Sequence, residues 1–245
     1  MTGVAAASDR GFVREENQDA WSSDEKLGLV VVSDGMGGRP AGALAAQTVV
    51  TQLPELLRSS ISVEKPVRRW MEQNLLRELV LAVSGKIIAM TQDKPELKGM
   101  GATVVAAWRC GLDVHIAHQG DSRAYLFRNG NLKQLTVDHS VAALLVWSGR
   151  LSKKEAETHP LRDQLIRVVG MEGEVYCDVQ AFRWENGDKL LLCTDGLWGV
   201  VSDWEISGVL ACYQDITRAC GELISLAKRQ GAPDNVTVLI WELNA

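Results

Sequence analysis

Several features are scarce or missing in this 245-residue chain, and each absence excludes a class of protein. No window approaches the roughly 18 continuous apolar residues of a membrane-spanning helix. The N-terminus, Met1 to Asp9, has no basic segment and too short an apolar run for a signal peptide. The five cysteines (Cys110, Cys177, Cys193, Cys212 and Cys220) are odd in number and none falls in a C-x-x-C pair. That argues against a disulfide framework and a structural zinc site, and suits a reducing cytosol. Basic residues are too few for a polyanion partner: 26 Lys and Arg against 31 Asp and Glu leave a net charge of −5. No nucleic-acid or membrane partner is therefore expected. There is no internal repeat and no Pro/Gly/Ser linker, so a single domain over 1–245 is expected, cytoplasmic and monomeric. What is present is apolar: 46% of the residues, ample for a core.

The apolar pattern alternates between strand and helix periods. Leu27 to Ser33 is short and β-branched and reads as a buried strand stopped by Asp34-Gly35. Positions 46, 49, 50, 53, 56 and 57 follow helical spacing, with Pro54 expected to break or restart the helix. A longer helix is expected over about 66–91, with Val67, Trp70, Met71, Leu75, Leu79, Ala82 and Val83 on one face. Four strands follow (Thr103 to Trp108, Asp113 to His118, Arg123 to Arg128, Leu132 to Thr136), with Asn129-Gly130 as a two-residue hairpin turn. Two S-x-x-E capping boxes, at Ser152 and Ser202, announce further helices. A strand at Lys189 to Thr194 lies between those boxes. A last helix buries Ile216, Ala219, Cys220, Leu223, Ile224 and Ala227, and a strand from Val236 to Trp241 closes the chain. Helices come in pairs and strands in hairpins, so the fold class is α+β with antiparallel sheets.

The chemistry-bearing feature is a repeated local pattern. Asp34, Asp121, Asp195 and Asp234 each sit beside Gly, Ser or Asn at the edge of an apolar strand, and Asp19 ends Asn17-Gln18-Asp19. Any one of them could simply cap a turn. Converging at one sheet edge, they would form an all-oxygen site suited to Mg²⁺ or Mn²⁺ rather than zinc. Carboxylates that close cannot all ionise without a cation.

Six segments occur in order: Ser8-Asp9-Arg10-Gly11-x-x-Arg14-x-x-Asn17-Gln18-Asp19-Ala20, Asp34-Gly35-Met36-Gly37-Gly38, Gly101-Ala102-Thr103, Gly120-Asp121-Ser122-Arg123, Thr194-Asp195-Gly196-Leu197 and Asp234-Asn235-Val236-Thr237. Together they resemble the motif series of bacterial PP2C-type (PPM family) protein serine/threonine phosphatases, over about residues 4–242. The resemblance implies a four-layer α-β-β-α sandwich with a flap at about 138–170 and a two-metal centre of Mn²⁺ or Mg²⁺ at one end. By it, Asp34 bridges two metals and the Gly35 carbonyl ligates one. Asp195 and Asp234 hold the first metal, Asp19 serves the second, and Asp121 with Asp195 forms a third, weaker site. The catalytic set is then Asp34, Asp195 and Asp234, with Arg14 clamping the substrate phosphate. Two cations lower the pKa of a bridging water, which attacks phosphoserine or phosphothreonine in line. The implied partners are phosphoproteins and a cognate Ser/Thr kinase, and some relatives of this compact size act in type VI secretion control.

The chain departs from that pattern in places. Gly38-Arg39-Pro40-Ala41-Gly42-Ala43 lacks the His and Glu usual in bacterial members, and Met36 stands where eukaryotic relatives carry a His, so the leaving-group acid is unassigned. Those losses keep open an alternative, a pseudophosphatase binding phosphoproteins; a two-metal hydrolase of small phosphoesters is a further rival. His159, beside Pro160 in the flap segment, is a candidate substrate-binding residue. His115 and His118 lie three apart on a strand, point to opposite faces and read as structural.

Overall fold

The computed structural model describes residues 2–36, 41–61, 69–92, 94–156, 158–173 and 176–243. In chain order its elements are β1 (Thr2–Asp9), β2 (Asp19–Asp24), β3 (Leu29–Met36), α1 (Ala41–Ile61), α2 (Arg69–Gln92), β4 (Gly101–Ala102), β5 (Val104–Cys110), β6 (Asp113–Gln119), β7 (Arg123–Arg128), β8 (Asn131–Gln134), α3 (Val141–Trp147), α4 (Lys153–Ala156), β9 (Asp178–Arg183), β10 (Lys189–Cys193), α5 (Asp195–Trp198), α6 (Asp203–Cys212), α7 (Ile216–Arg229) and β11 (Val236–Leu243). They form two antiparallel sheets, ordered β1-β11-β10-β7-β8 and β2-β3-β5-β6-β9, with β4 paired to β3.

The layers follow from strand alternation, since successive side chains point to opposite faces. On β3 and β5, Leu29, Val31, Val104 and Ala106 face α1 and α2, while Val30, Val32, Val105 and Ala107 face the other sheet. On β10 and β11, Leu191, Val238 and Ile240 pack under α6 and α7, and Leu190, Leu192, Leu239 and Trp241 turn inward. Trp184 meets Trp241 edge-on in the inter-sheet layer, with centroids 4.7 Å apart. The result is the expected α-β-β-α sandwich. Among the described residues no helix is long and apolar enough to cross a membrane.

Local chemistry sets the element ends. Asn129 and Gly130 take φ of 52° and 77°, as a tight hairpin turn requires. Both capping boxes form: the Ser202 hydroxyl accepts from Glu205 N–H, and Ser152 makes the same contact with Glu155. The buried Lys189 donates to the Leu210 and Tyr213 carbonyls, satisfying the end of α6 at 3.0 and 2.8 Å.

Several expectations need correction. Pro54 does not interrupt α1, which runs through it for 21 residues. Its missing N–H leaves the Val50 carbonyl without its helical donor. Leu53 and Leu57, both fully buried beside it, are worth about 1.5–3 kcal/mol each, enough to hold the turn. Asp34-Gly35 does not stop the third strand, because Gly35 still pairs with Ala102. The buried face of α2 is Leu76, Leu79, Val80, Val83 and Ile87, and Ala82 is exposed. Val67 and Arg39 lie outside the described residues, as do the side chains of Trp70 and Met71. Strands β1, β2 and β9 have no clear sequence signal. Cys212 is exposed and Cys110 only half-buried, unlike the other three cysteines.

Replacing Pro54 with Ala restores the Val50 acceptor's partner but gives the unfolded chain back some freedom. The net expectation is a gain of about 1–2 kcal/mol in thermal unfolding.

Candidate metal centre

Five aspartates are delivered to one end of the sandwich by strand ends of both sheets. Asp19 opens β2 and Asp34 lies near the end of β3, and the β2–β3 register sets them directly opposite each other. Asp121 follows β6, Asp195 opens α5 immediately after β10, and Asp234 immediately precedes Asn235 and β11. Each of these carboxylates is felt by others of the set: Asp34 by Asp19, Asp195, Asp121 and Asp234, and Asp195 by Asp234.

The backbone around them is held by short polar side chains. Thr103 brackets Asp34: its N–H donates to the Asp34 carbonyl at 2.8 Å, and its Oγ1 accepts from the Asp34 N–H at 2.9 Å. The same Oγ1 lies 2.6 Å from Ser122 Oγ, tying the Asp34 and Asp121 segments together. Thr194 Oγ1 donates to Asp19 Oδ2 at 2.9 Å and accepts from the Thr237 N–H at 3.0 Å. Asn235 pins the loop before β2, accepting from the Gln18 N–H at 2.8 Å and donating to the Arg10 and Glu16 carbonyls. Two glycines are obligatory for close approach. A Cβ at Gly35 would overlap the Gly42 carbonyl oxygen, and one at Gly196 the Asn235 carbonyl oxygen.

Electrostatics at this edge are unfavourable for the chain alone. Burial, then the neighbouring carboxylates, push Asp19 up to about 7, against a hydrogen bond from Thr194. Asp195 is pushed up to about 6 by burial and Asp234, and a hydrogen bond from the Asp34 carboxyl works the other way. Asp34 and Asp121 are held well above the carboxylate range, chiefly by burial. Asp19 Oδ1 and Asp195 Oδ1 are buried with no hydrogen-bond partner among the described residues. Two orphaned carboxylate oxygens in an all-oxygen donor set are what a hard divalent cation fits.

Arg14, with 57% of its side chain exposed, stands at the mouth of the cluster. Its Nε and Nη2 fork onto the two Asp234 oxygens at 2.7 and 2.6 Å, and Asp195 and Asp34 add to its stabilisation. Among the described residues, no hydrogen bond or ion pair joins His159 to the aspartates. Its Nδ1 accepts from the Leu161 N–H at 3.2 Å and its N–H donates to the Ala156 carbonyl. The same segment instead sends Asp163 near enough to raise Asp195.

Segment 138–170 is pinned at both ends beside the site. His139 N–H donates to the Gly120 carbonyl, and Val169 exchanges backbone bonds with Ala102. Trp198 lies three residues after Asp195, in the same short helix. Its indole N–H donates to the Asp121 carbonyl at 2.9 Å. The Arg123 guanidinium stacks 3.6 Å from its ring while forking onto Asp138. Thr103 and Asn235 stand in the motif segments with no role that spacing assigns, and Asp163 lies outside them; the roles of all three depend on what folding sets beside them.

The family model described as protein phosphatase 2C matches residues 13–231. The chain is similar to the serine/threonine phosphatase stp of Listeria welshimeri serovar 6b, at 34% identity over 97% of this chain and 94% of that one. Among solved structures, it matches the catalytic domain of the serine/threonine protein phosphatase PstP in complex with two manganese ions, with a TM-score of 0.87, 34% identity and coverage of 100% and 99%. It also matches PppA, a key regulatory component of the type VI secretion system in Pseudomonas aeruginosa, with a TM-score of 0.85, 29% identity and coverage of 98% and 97%.

The raised carboxyls carry a pH signature. Folding binds protons at Asp19 and Asp195, so their contribution is full below the ordinary value of 3.8 and is lost as pH rises through about 6 to about 7. Protein stripped with EDTA is expected to melt lower at pH 8 than at pH 5. Added Mn²⁺ should restore more stability at pH 8 than at pH 5, as scanning calorimetry would read. Asp34→Asn should melt a few degrees higher than wild type when metal-free, since about 1 kcal/mol is worth ~2–4 °C at this length.

Proposed function

This chain belongs to the protein phosphatase 2C family and is a protein serine/threonine phosphatase, and on that premise we propose how its own residues divide the work. Asp34, Asp195 and Asp234 are the catalytic carboxylates, holding two Mn²⁺ or Mg²⁺ ions together with Asp19 and the Gly35 carbonyl. Asp121, with Asp195, offers a third and weaker site. The observation that carries the reading is the convergence of five aspartates with two buried, unpartnered carboxylate oxygens. The manganese ions named for the PstP structure support it. Two cations held there supply Lewis-acid activation of water and neutralise charge on the phosphoryl oxygens.

The remaining steps belong to the protein. Arg14 presents a planar fork matched to two phosphoryl oxygens, and substrate takes it over from Asp234 once that carboxylate has another counter-charge. Trp198 and Arg123 position the Asp121 carbonyl and link it to Asp138 at the base of the flap, 138–170. His159 belongs to the flap wall facing substrate; its support is the pinning of that segment beside the site. The chain acts in the cytoplasm as a monomer, reversing a Ser/Thr kinase. The PppA similarity favours type VI secretion control as the setting.

The test is phosphate release from a phosphothreonine peptide, with Mn²⁺ and with EDTA, beside a nucleotide monophosphate as competing substrate. Asp34→Asn and Asp195→Asn should each lower kcat/KM by about 10³-fold or more, since a bound metal contributes several kcal/mol to the transition state. Metal-independent release, or faster turnover of the nucleotide, would overturn the reading.

A further inference from the structure

Toward the other end of the β5–β6 hairpin from Asp121, three chemically different ligand groups meet under α2. Glu72 comes from the first turn of α2, Cys110 ends β5, and His115 is the third residue of β6. One donor atom from each lies within 4.8 Å of the other two. The His115 side chain is 0% exposed, its Nε2 lies 2.8 Å from Glu72 Oε2, and its Nδ1 finds no partner among the described residues. The Cys110 thiol donates to Glu72, and burial together with that carboxylate pushes it up to about 12. A wholly buried imidazole set against a carboxylate and a thiol, with one donor atom of each inside a 4.8 Å triangle, offers the mixed nitrogen, oxygen and sulfur set that a divalent cation takes.

We propose that Glu72, Cys110 and His115 form a second metal site, separate from the aspartate cluster and selective for zinc. Tetrahedral bond lengths of about 2.0–2.3 Å imply donor separations of about 3.4–3.6 Å, within reach of small side-chain rotations here. Thiolate and imidazole favour Zn²⁺ over Mn²⁺ and Mg²⁺, whereas the all-oxygen cluster has the opposite preference, so one chain sorts two kinds of ion. Binding forms the metal–sulfur bond and releases the Cys110 proton to solvent, with no change of oxidation state. The fourth position is left to water. The bound ion fastens the start of α2 to the β5–β6 hairpin. This revises the expectation that the cysteines rule out a zinc site: its ligands come from three elements and leave no spacing signature.

The experiment titrates Mn²⁺-loaded protein with Co²⁺ as a spectroscopic stand-in for zinc, followed by Zn²⁺. One equivalent of thiolate-to-cobalt charge-transfer absorption is expected, displaced by Zn²⁺, with a higher melting temperature. Cys110→Ser should abolish the band and keep Mn²⁺-dependent phosphatase activity, which also shows that it folds. Cys212→Ser should leave the band intact. Glu72→Gln, which keeps the thiol, should weaken Co²⁺ binding by about 100-fold, at least the loss known for outer-sphere partners. No thiolate band in wild type, a band that survives Cys110→Ser, or unchanged affinity in Glu72→Gln would overturn the proposal.

Discussion

Asp19 and Asp34 face each other across two hydrogen-bonded strands, an arrangement that a sheet ordinarily avoids because like charges directly opposite destabilise the pair. Asp195 and Asp234 come in beside them from the second sheet, Asp234 with Arg14 as its counter-charge. Much else at this end of the molecule serves to keep those carboxylates together. Thr103, Thr194 and Asn235 spend their side chains on backbone groups of the Asp-bearing segments, and Gly35 and Gly196 let those segments approach to distances a Cβ would forbid. The strain is electrostatic, and the scaffold that resists it is made of hydrogen bonds and close packing.

The same scaffold reaches outward. Thr103 and Ser122 join the Asp34 and Asp121 segments, and the two ends of the 138–170 segment hang from Ala102 and Gly120, immediate neighbours of those motifs. Arg123 continues the chain of contacts, stacked on Trp198 and forked onto Asp138 where that segment begins. The aspartate-bearing segments and the 138–170 segment are thus joined by a continuous set of hydrogen bonds and one stacked pair. Arg14 is the exposed member of this arrangement, a cation paired with Asp234 at the open side of the cluster.

A second polar cluster, Glu72 with Cys110 and His115, contrasts in chemistry with the first. One is built of hard oxygen donors at the end of the sandwich; the other mixes oxygen, sulfur and nitrogen beneath a helix. Of the first cluster only Asp121 adjoins the β5–β6 hairpin, just past the end of β6, whereas Cys110 and His115 lie toward its turn.

Much was legible before folding. The strands β7, β10 and β11, the capped helices α6 and α7, and the hairpin turn at Asn129-Gly130 follow from periodicity and turn chemistry, which act over a few residues. The five aspartates stood out because each interrupts an apolar run beside a small residue. Local patterns fail where the deciding partner is distant. Pro54 stays inside α1 because buried leucines on either side outweigh the lost hydrogen bond, and Asp34-Gly35 stays in strand because Ala102 pairs with it. Strands β1, β2 and β9 take shape against partners that short-range alternation does not announce. The sequence alone settled which residues are ionisable and which strongly periodic segments have a face to bury, since both depend on side-chain type and spacing. Only the tertiary structure decided that Asp19 lies opposite Asp34, that Trp198 holds Asp121, and that Glu72 meets Cys110 and His115, because strand register and helix docking join residues with no spacing in common.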